Sequence, residues 1–397
     1  MAGDSCDPDA PGVGRFAPPS KENLYIVPAV QDRRDHSVVQ RAAQQFTLSG
    51  PLSIQALGEG HIHETWLVQQ AGTDSQLVLQ QVNTHVFADV PAMMENIARV
   101  TAHGRARLAL IEGADVGRRV LSLRRTHAGA AHWSDPEGRV FRAFDYVSGS
   151  LTLSRIDSTD DAYEAGRAVG EFAGLMADLP APPLHSILPD FHAPAQRYLQ
   201  LEAAMAQDAV GRAAAVQVEW QALTKRASLA HECASWARDP HLVVRVVHND
   251  TKLNNVLFDA TTRRALCMVD LDTVMPGYLA FDFGDLVRTC VFTEAEDSRA
   301  LEGVQLRFDV FEALARGFLG ELAGRLTPLE YRSLARGTLW IVLELAMRFL
   351  ADYVNGDRYF KVTHPEHNLE RARMQLRLLS ELETHASELA RILEACS

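Results

Sequence analysis

Val246-Val247-His248-Asn249-Asp250-Thr251-Lys252-Leu253-Asn254-Asn255-Val256-Leu257-Phe258-Asp259 is followed, at the close of the next apolar segment, by Asp270-Leu271-Asp272. The spacing His-x-Asp-x-x-x-x-Asn pairs a carboxylate that can accept the proton of a hydroxyl with an amide oxygen that can ligate a cation bridging nucleotide phosphates. The residues around it predict a hairpin: a strand over 256–258, a turn over 261–264 and a returning strand over 265–269. A hairpin brings its two ends together, so Asn255 and Asp270 would face one site, where an amide oxygen and a carboxylate can share a hard, oxygen-seeking cation such as Mg2+. This reading makes Asp250 the base that orients a substrate hydroxyl.

The neighbours of these residues receive different readings. His248 suits bracing of the loop through a backbone hydrogen bond. Lys252, two residues beyond Asp250, is placed to approach a transferring phosphoryl group. A literal Asp282-Phe283-Gly284 invites assignment as the metal element, but Asp282 follows the Pro276-Gly277 turn and opens a helix, where a carboxylate caps backbone amides. Asp282 or Asp285 is therefore expected to buttress the loop, while Asp272 is equally compatible with a second cation and with a polar network.

Composition sets outer limits. A chain of 397 residues suits a two-lobed body of roughly 350 residues plus a tail. The five cysteines form no C-x-x-C pair and are odd in number, which argues against a disulfide framework or structural zinc. A reducing cytoplasmic setting is expected. Met1-Ala2-Gly3-Asp4-Ser5 has no basic region leading into an apolar stretch, so no secretory signal is expected. The most apolar stretch, 339–350, contains Glu344 and Arg348 and is too short to span a bilayer, so no membrane partner is expected. A formal charge of -12 disfavours nucleic acid as a partner, since such binding rests on clustered Lys and Arg. No obligate protein partner is evident.

Along the chain, residues 1–36 are rich in Pro, Gly, Asp and Arg without apolar periodicity and read as a disordered extension. Residues 37–147 read as a small nucleotide-binding sheet lobe, with strands at 53–57, 65–69, 77–82, 118–123 and 139–147 and one helix at 91–103. Residues 148–397 read as a larger helical lobe carrying the hairpin and the acceptor-binding helices. Ser158 or Thr159 caps its first helix, and further helices are expected near 194–237, 281–293, 299–323, 327–355 and 366–395. The fold class is α+β: a bilobal, protein-kinase-like arrangement with a small antiparallel-sheet N-lobe and a mainly helical C-lobe. Only about a dozen residues separate Asp270 from the helix near Asp282, too few for the regulated peptide-binding segment of a protein kinase.

In the small lobe, Gly58 and Gly60 lie between two predicted strands, where glycines let backbone amides approach phosphates. The strand Leu77-Val78-Leu79-Gln80 carries Gln80 where kinases present a lysine to the phosphates, leaving Glu95 on the next helix without its usual partner. Gln80, Asp145 and Val147, the latter two in the segment connecting the lobes, complete the nucleotide contacts.

These segments resemble the aminoglycoside phosphotransferase-like (choline kinase) family. The resemblance rests on GEGHIHETWLV (58–68), LVLQQVN (77–83), PDFH (189–192), HNDTKLNNVLFDATT (248–262), VDLDTVMPGYLAFDFGDLVR (269–288), RFLADYVNGDRYF (348–360) and PEHNLERAR (365–373). It covers roughly residues 40–395, and Gln80 is itself similar to members acting on N-acetylhexosamines. The resemblance implies ATP- and Mg2+-dependent phosphorylation of the anomeric hydroxyl of N-acetylglucosamine or N-acetylgalactosamine, with His61, Asp250, Arg348 and Tyr359 as sugar contacts. The position that is Asn in the family's GHIN motif is His63 here.

A separate argument favours a neutral sugar over a polycationic aminoglycoside. The helical segment beside the site carries Arg348, Arg358, Lys361, Arg371 and Arg373, whose forks suit carbonyl, hydroxyl or phosphate acceptors. Arg348 could instead pair internally with Asp352 or Glu344 at helical spacing. Other readings are a small-molecule kinase of the same fold with a different hydroxyl acceptor, for which a pocket lined with aromatic residues would favour a quaternary ammonium compound, and a nucleotide or sugar sensor without turnover.

Overall fold

The computed structural model describes residues 36–46, 50–57, 62–111 and 113–396. The expectations for Gly58, Gly60, His61 and the extension up to residue 35 lie outside them. Two short antiparallel sheets in the C-terminal part and a larger antiparallel sheet in the N-terminal part account for the strands. The N-terminal sheet runs β1 (Leu52–Ala56), β2 (Glu64–Gln70), β3 (Gln76–Val82), β6 (Val140–Asp145) and β4 (Leu123–Arg124), with β5 (Trp133–Ser134) also on β6. Side chains alternate across it. Trp66, Val68, Leu77, Leu79, Phe141 and Ala143 form one core face under helix α1 (His36–Gln45), which contributes Val38, Val39, Ala42 and Ala43, with Phe46 just past its end. The alternate positions Gln80 and Arg142, cross-strand partners in the β3–β6 register, therefore point to the other face, toward the larger lobe.

Helix α2 (Val90–Leu108) covers that side. It starts on Asp89, whose carboxylate accepts from the Ala92 N–H at 3.0 Å, with Pro91 in its first turn. The fully buried Asn96 on α2 donates to the carbonyls of His185 (2.9 Å) and Val274 (3.0 Å), tying the helix to the C-terminal lobe. Glu95 pairs with His185 at the surface.

The larger lobe begins with β7 (Ser150–Thr152), which joins β9 (Val256–Asp259) and β10 (Ala265–Met268), while β8 (Arg245–Val247) pairs with β11 (Met275–Gly277). Around them pack α4 (Thr159–Met176), α5 (Pro194–Gln207), α6 (Gln217–Thr224), α7 (Ala227–Trp236), α8 (Leu279–Cys290), α9 (Phe308–Glu321), α10 (Pro328–Val354), α11 (His367–Thr384) and α12 (Ala386–Ala395). Ser158 is the cap of α4, accepting from Asp161 N–H at 3.1 Å. Thr327 and Glu330 cap α10 reciprocally. Helices α8 and α10 cross closely at Gly284 and Gly337: a Cβ on Gly337 would lie 2.0 Å from the Ala280 carbonyl oxygen, so this crossing admits no side chain there. No helix among the described residues is long and apolar enough to cross a membrane.

Several sequence expectations change. Residues 118–123 do not form a strand: Asp115 O accepts the N–H groups of Arg118 and Arg119, closing the short helix α3 (Val116–Arg119) before a two-residue β4. The helix expected over 194–237 is three helices, because Asp208 (φ +42°) and Gly211 (φ +73°) turn the chain after α5. The helix expected from 299 begins only at Phe308, since Leu306 bridges back to Phe292. The sheet lobe also carries α1, a helix the reading overlooked although 38, 39, 42, 43 and 46 form a helical stripe.

Candidate active site

The predicted hairpin forms as β9 and β10, with Met268 opposite Val256. Its open end is closed by the Val269 N–H, which donates to Asn255 O at 2.9 Å. Asn255 and the Asp250 loop are thereby brought beside Asp270, which leaves β10 in a left-handed conformation (φ +61°) that turns the next residues back across the site.

Asp282 organises the loop over 248–255. At the start of α8 and fully buried, its two oxygens accept from His248 N–H (2.8 Å) and Asn249 N–H (2.7 Å), while its carbonyl accepts from Thr251 Oγ1. Burial raises its pKa above the ordinary carboxylate value, although the two amides and His248 favour the anion. The expected buttress is thus observed. His248 also behaves as expected: its Nε2 donates to Val269 O at 2.9 Å and its Nδ1 accepts from the Asp250 N–H at 3.3 Å. Asn249 (φ +65°) is held from the other side, its amide donating to Thr273 O at 2.9 Å.

An Asp282→Ala substitution leaves two buried N–H groups without acceptors. A loss of about 2–4 kcal/mol in unfolding free energy is expected, measured by denaturant titration.

Within this frame Asp250 Oδ2 accepts from Lys252 Nζ (2.8 Å) and Asn255 Nδ2 (2.9 Å). Burial opposes its ionisation, but Lys252 beside it holds the carboxyl below the usual range. Lys252 is itself held above its usual range: burial works against the ammonium, and Asp250 and Asp270 more than offset it. Asn255 Nδ2 also donates to Asp250 O at 2.8 Å, so the amide's nitrogen end is committed and its oxygen is the end available to a cation. Burial, together with the carboxylates of Asp272 and Asp250, pushes Asp270 up to about 8. Converging carboxylates and an amide oxygen, with too little positive charge to balance them, suit a hard divalent cation. The residues present therefore fit Mg2+.

Asp272 belongs to a polar network. The fork of Arg142 reaches both of its oxygens, with Nη2 to Oδ2 at 2.8 Å, and His63 Nε2 meets Oδ2 at 2.6 Å. Since His63 Nδ1 accepts the Asn83 N–H at 3.0 Å, Nε2 carries the proton and donates. Burial disfavours the Asp272 anion, but Arg142 and His63 hold its pKa well below the ordinary value. Gln80 accepts from Arg142 Nε at 2.9 Å and donates to Thr65 Oγ1 at 3.2 Å, so both ends of its amide are engaged.

Arg142 was missed by sequence reasoning, although a charge between the core residues Phe141 and Ala143 is itself a signal. In the connecting segment, Asp145 pairs with Arg124, and Val147 is buried with its carbonyl accepting from Ser150 Oγ at 2.6 Å.

On the opposite side of the loop, Arg348 and Tyr359 come together. Arg348 Nη2 donates to Tyr359 OH at 3.3 Å, and the guanidinium lies 5.9, 5.5 and 5.4 Å from the ring centres of Phe191, Tyr359 and Phe360. Neither possible helical partner pairs with it. The Asp352 carboxylate is taken up by the N–H groups of Arg358, Tyr359 and Phe360, and Glu344 meets His192 Nδ1 through Oε1 at 3.2 Å while its buried Oε2 has no hydrogen-bond partner among the described residues. Among the described residues no carboxylate pairs with Arg348. His192, next to Phe191, also donates from Nε2 to Asn249 O at 2.9 Å and so links this group to the loop that carries Asp250. Burial opposes its protonation, yet Glu344 raises its pKa.

Comparison with known proteins agrees with this architecture. A family model described as the phosphotransferase enzyme family (APH) matches residues 53–317. A microcompartment-associated aminopropanol kinase is 18% identical, with a TM-score of 0.61 over 90% of this chain and 99% of that one. Spectinomycin phosphotransferase, in complex with ADP and spectinomycin, is 8% identical, with a TM-score of 0.57 over 92% and 99%. Choline kinase from Cryptosporidium parvum Iowa II is 10% identical, with a TM-score of 0.54 over 91% and 99%. At these identities the three structures speak for a shared fold, the bilobal fold of protein-kinase-like phosphotransferases.

Proposed function

The chain belongs to the phosphotransferase enzyme family, and from that premise we propose that it transfers the terminal phosphoryl group of ATP to the anomeric hydroxyl of an N-acetylhexosamine, as N-acetylhexosamine 1-kinase does. Asp250 accepts the hydroxyl proton as the sugar oxygen forms its bond to the γ-phosphorus. The bond from that phosphorus to the β–γ bridging oxygen breaks, and ADP leaves with the electron pair. Lys252 keeps Asp250 ionised and supplies positive charge beside the transferring group. Asn255 and Asp270 would hold Mg2+, which, when bound, neutralises phosphate charge. The segment through Asp145 and Val147, with Gly58 and Gly60, would receive the nucleotide.

The observation that carries the choice of acceptor is the cluster around Arg348. Phe191, Tyr359 and Phe360 form an aromatic surround of the sort that attracts a quaternary ammonium, but a guanidinium of the protein already occupies it. A cationic amino alcohol or aminoglycoside would meet like charge there, whereas the carbonyl and hydroxyls of an acetylated sugar offer acceptors to the free N–H groups. His61 and Tyr359 would add contacts to the same sugar.

Arg348→Met is expected to raise the Michaelis constant for the sugar by about 10- to 100-fold, the worth of hydrogen bonds to a charged donor, with a smaller change in kcat. Steady-state kinetics would check this; an unchanged constant removes Arg348 from the sugar site.

The test of the whole reading is ADP release by purified protein with ATP and Mg2+ and, separately, N-acetylglucosamine, N-acetylgalactosamine, amino alcohols and aminoglycosides. Sugar-dependent release with an acid-labile, alkali-stable phosphate product supports an anomeric kinase. Turnover confined to another acceptor discards the sugar, and nucleotide binding with no turnover on any acceptor makes the protein a sensor.

A further inference from the structure

The lysine absent from β3 has a counterpart one strand away. Arg142 on β6 is the cross-strand partner of Gln80, is 1% exposed, and reaches from the N-terminal sheet to Asp272 in the other lobe. Its position beside Gln80 is held by the 2.9 Å bond from Nε.

Three groups offer ligand atoms within 4.8 Å of one another beside the catalytic loop: His63, Asp270 and Asp272. Taken alone, they could hold a metal ion between them. The hydrogen bonds remove two of them. Both Asp272 oxygens face the Arg142 fork, and His63 presents a donor to Asp272 at Nε2 while its Nδ1 accepts from Asn83. Asp270 is the member of the three that neither Arg142 nor His63 engages. Two residues past Asp272, the Val274 carbonyl is gripped from α2 by Asn96. The segment carrying Asp270 and Asp272 is thus attached to the small lobe at two points, Asp272 by Arg142 and His63 and Val274 by Asn96.

We propose that Arg142 is a positioning residue of the metal centre: it withholds Asp272 from the cation and locks the Asp270 segment to the N-terminal sheet, leaving Asp270 and Asn255 as the protein ligands. Gln80 acts through Arg142, as an acceptor that aims the guanidinium; a lysine at position 80 would place a second cation against it. This deepens the phosphotransferase reading and rests on it.

The experiment is Mn2+ binding to the full chain, followed by the electron paramagnetic resonance signal of free Mn2+, with a non-hydrolysable ATP analogue present and phosphoryl transfer assayed in parallel. Arg142→Met releases Asp272, so roughly one further Mn2+ per chain is expected, with transfer reduced. Arg142→Met combined with Asp272→Asn should return to the wild-type Mn2+ count while transfer stays low. A residue that merely supports the fold would not add a metal site.

The proposal is overturned if folded Arg142→Met protein binds the wild-type number of Mn2+ ions. It is equally overturned if Asp272→Asn alone lowers that number, since Asp272 would then already be a ligand. Should Arg142→Met not fold, Asp272→Asn decides: an unchanged count supports the proposal and a lower one refutes it. Wild-type protein that binds no Mn2+ with the nucleotide analogue would overturn the phosphotransferase reading first, and this inference with it.

Discussion

Asp250→Asn is expected to lower phosphoryl transfer by about 10²- to 10⁴-fold, the usual contribution of a positioned general base, while leaving the fold intact. The loop does not depend on the carboxylate for its shape. Asp282, His248, Asn249 and Thr273 hold it through bonds that do not involve the Asp250 side chain. What the substitution removes is charge. Asp250 Oδ2 receives Lys252 and Asn255, and an amide can accept from them but cannot take up the hydroxyl proton. Sugar and nucleotide binding should therefore survive, and kcat should carry the loss. A kcat within a few-fold of wild type would show that another group receives the proton.

The second large effect is expected from Asp270→Asn, where stability and function should move in opposite directions. The carboxyl is pushed up to about 8 by burial and by the nearby carboxylates of Asp272 and Asp250, so its ionised form is unfavourable in the metal-free protein. Asparagine is nearly isosteric, tolerates the left-handed backbone at φ +61°, and removes that repulsion. The melting temperature of the metal-free variant at neutral pH should rise. Its metal-supported transfer should fall by about 10³-fold, corresponding to the loss of several kcal/mol of charge stabilisation. A variant that is both less stable and fully active would contradict the role given to Asp270.

Opposed changes at one position are the usual signature of a residue retained for chemistry rather than for folding. They also separate Asp270 from Asp282, whose loss is expected to cost stability because its oxygens saturate backbone amides. The two aspartates occur in similar short motifs, and local burial and bonding tell them apart.

Much of this site was legible from local pattern. The hairpin follows from two short apolar runs around a polar turn, and its closure on Asn255 needs only the register that such runs impose. The place of Asp282 after Pro276-Gly277 put it near a helix start, and its buttressing of the loop was expected. It does not cap the helix, since α8 begins at Leu279 and the carboxylate accepts from the His248 and Asn249 amides instead. These are short-range effects, set by backbone geometry within some thirty residues.

Other features could not be read in this way. Arg142 and Asp272 lie 130 positions apart, and His63 and Asp272 lie 209 apart. His63 was recognisable as a departure from its family pattern, but its partner was not. Gln80 looked like a lost lysine until the β3–β6 register placed Arg142 beside it. The breaks after α5 and before α9 depend on left-handed residues and on a bridge to Phe292, which apolar periodicity does not register.

The amino-acid sequence by itself determined the bilobal class, the β9–β10 hairpin and the choice of Asp250, Asn255 and Asp270 as candidates, because hydrophobic period, turn chemistry and ligand type are properties of neighbouring residues. Only the tertiary structure decided that Asp272 is bound by Arg142 and His63, and that Arg348 stands among aromatic rings without a carboxylate partner among the described residues. The pairing of a buried charge depends on which distant groups desolvate it together, and that is settled when the lobes and helices pack.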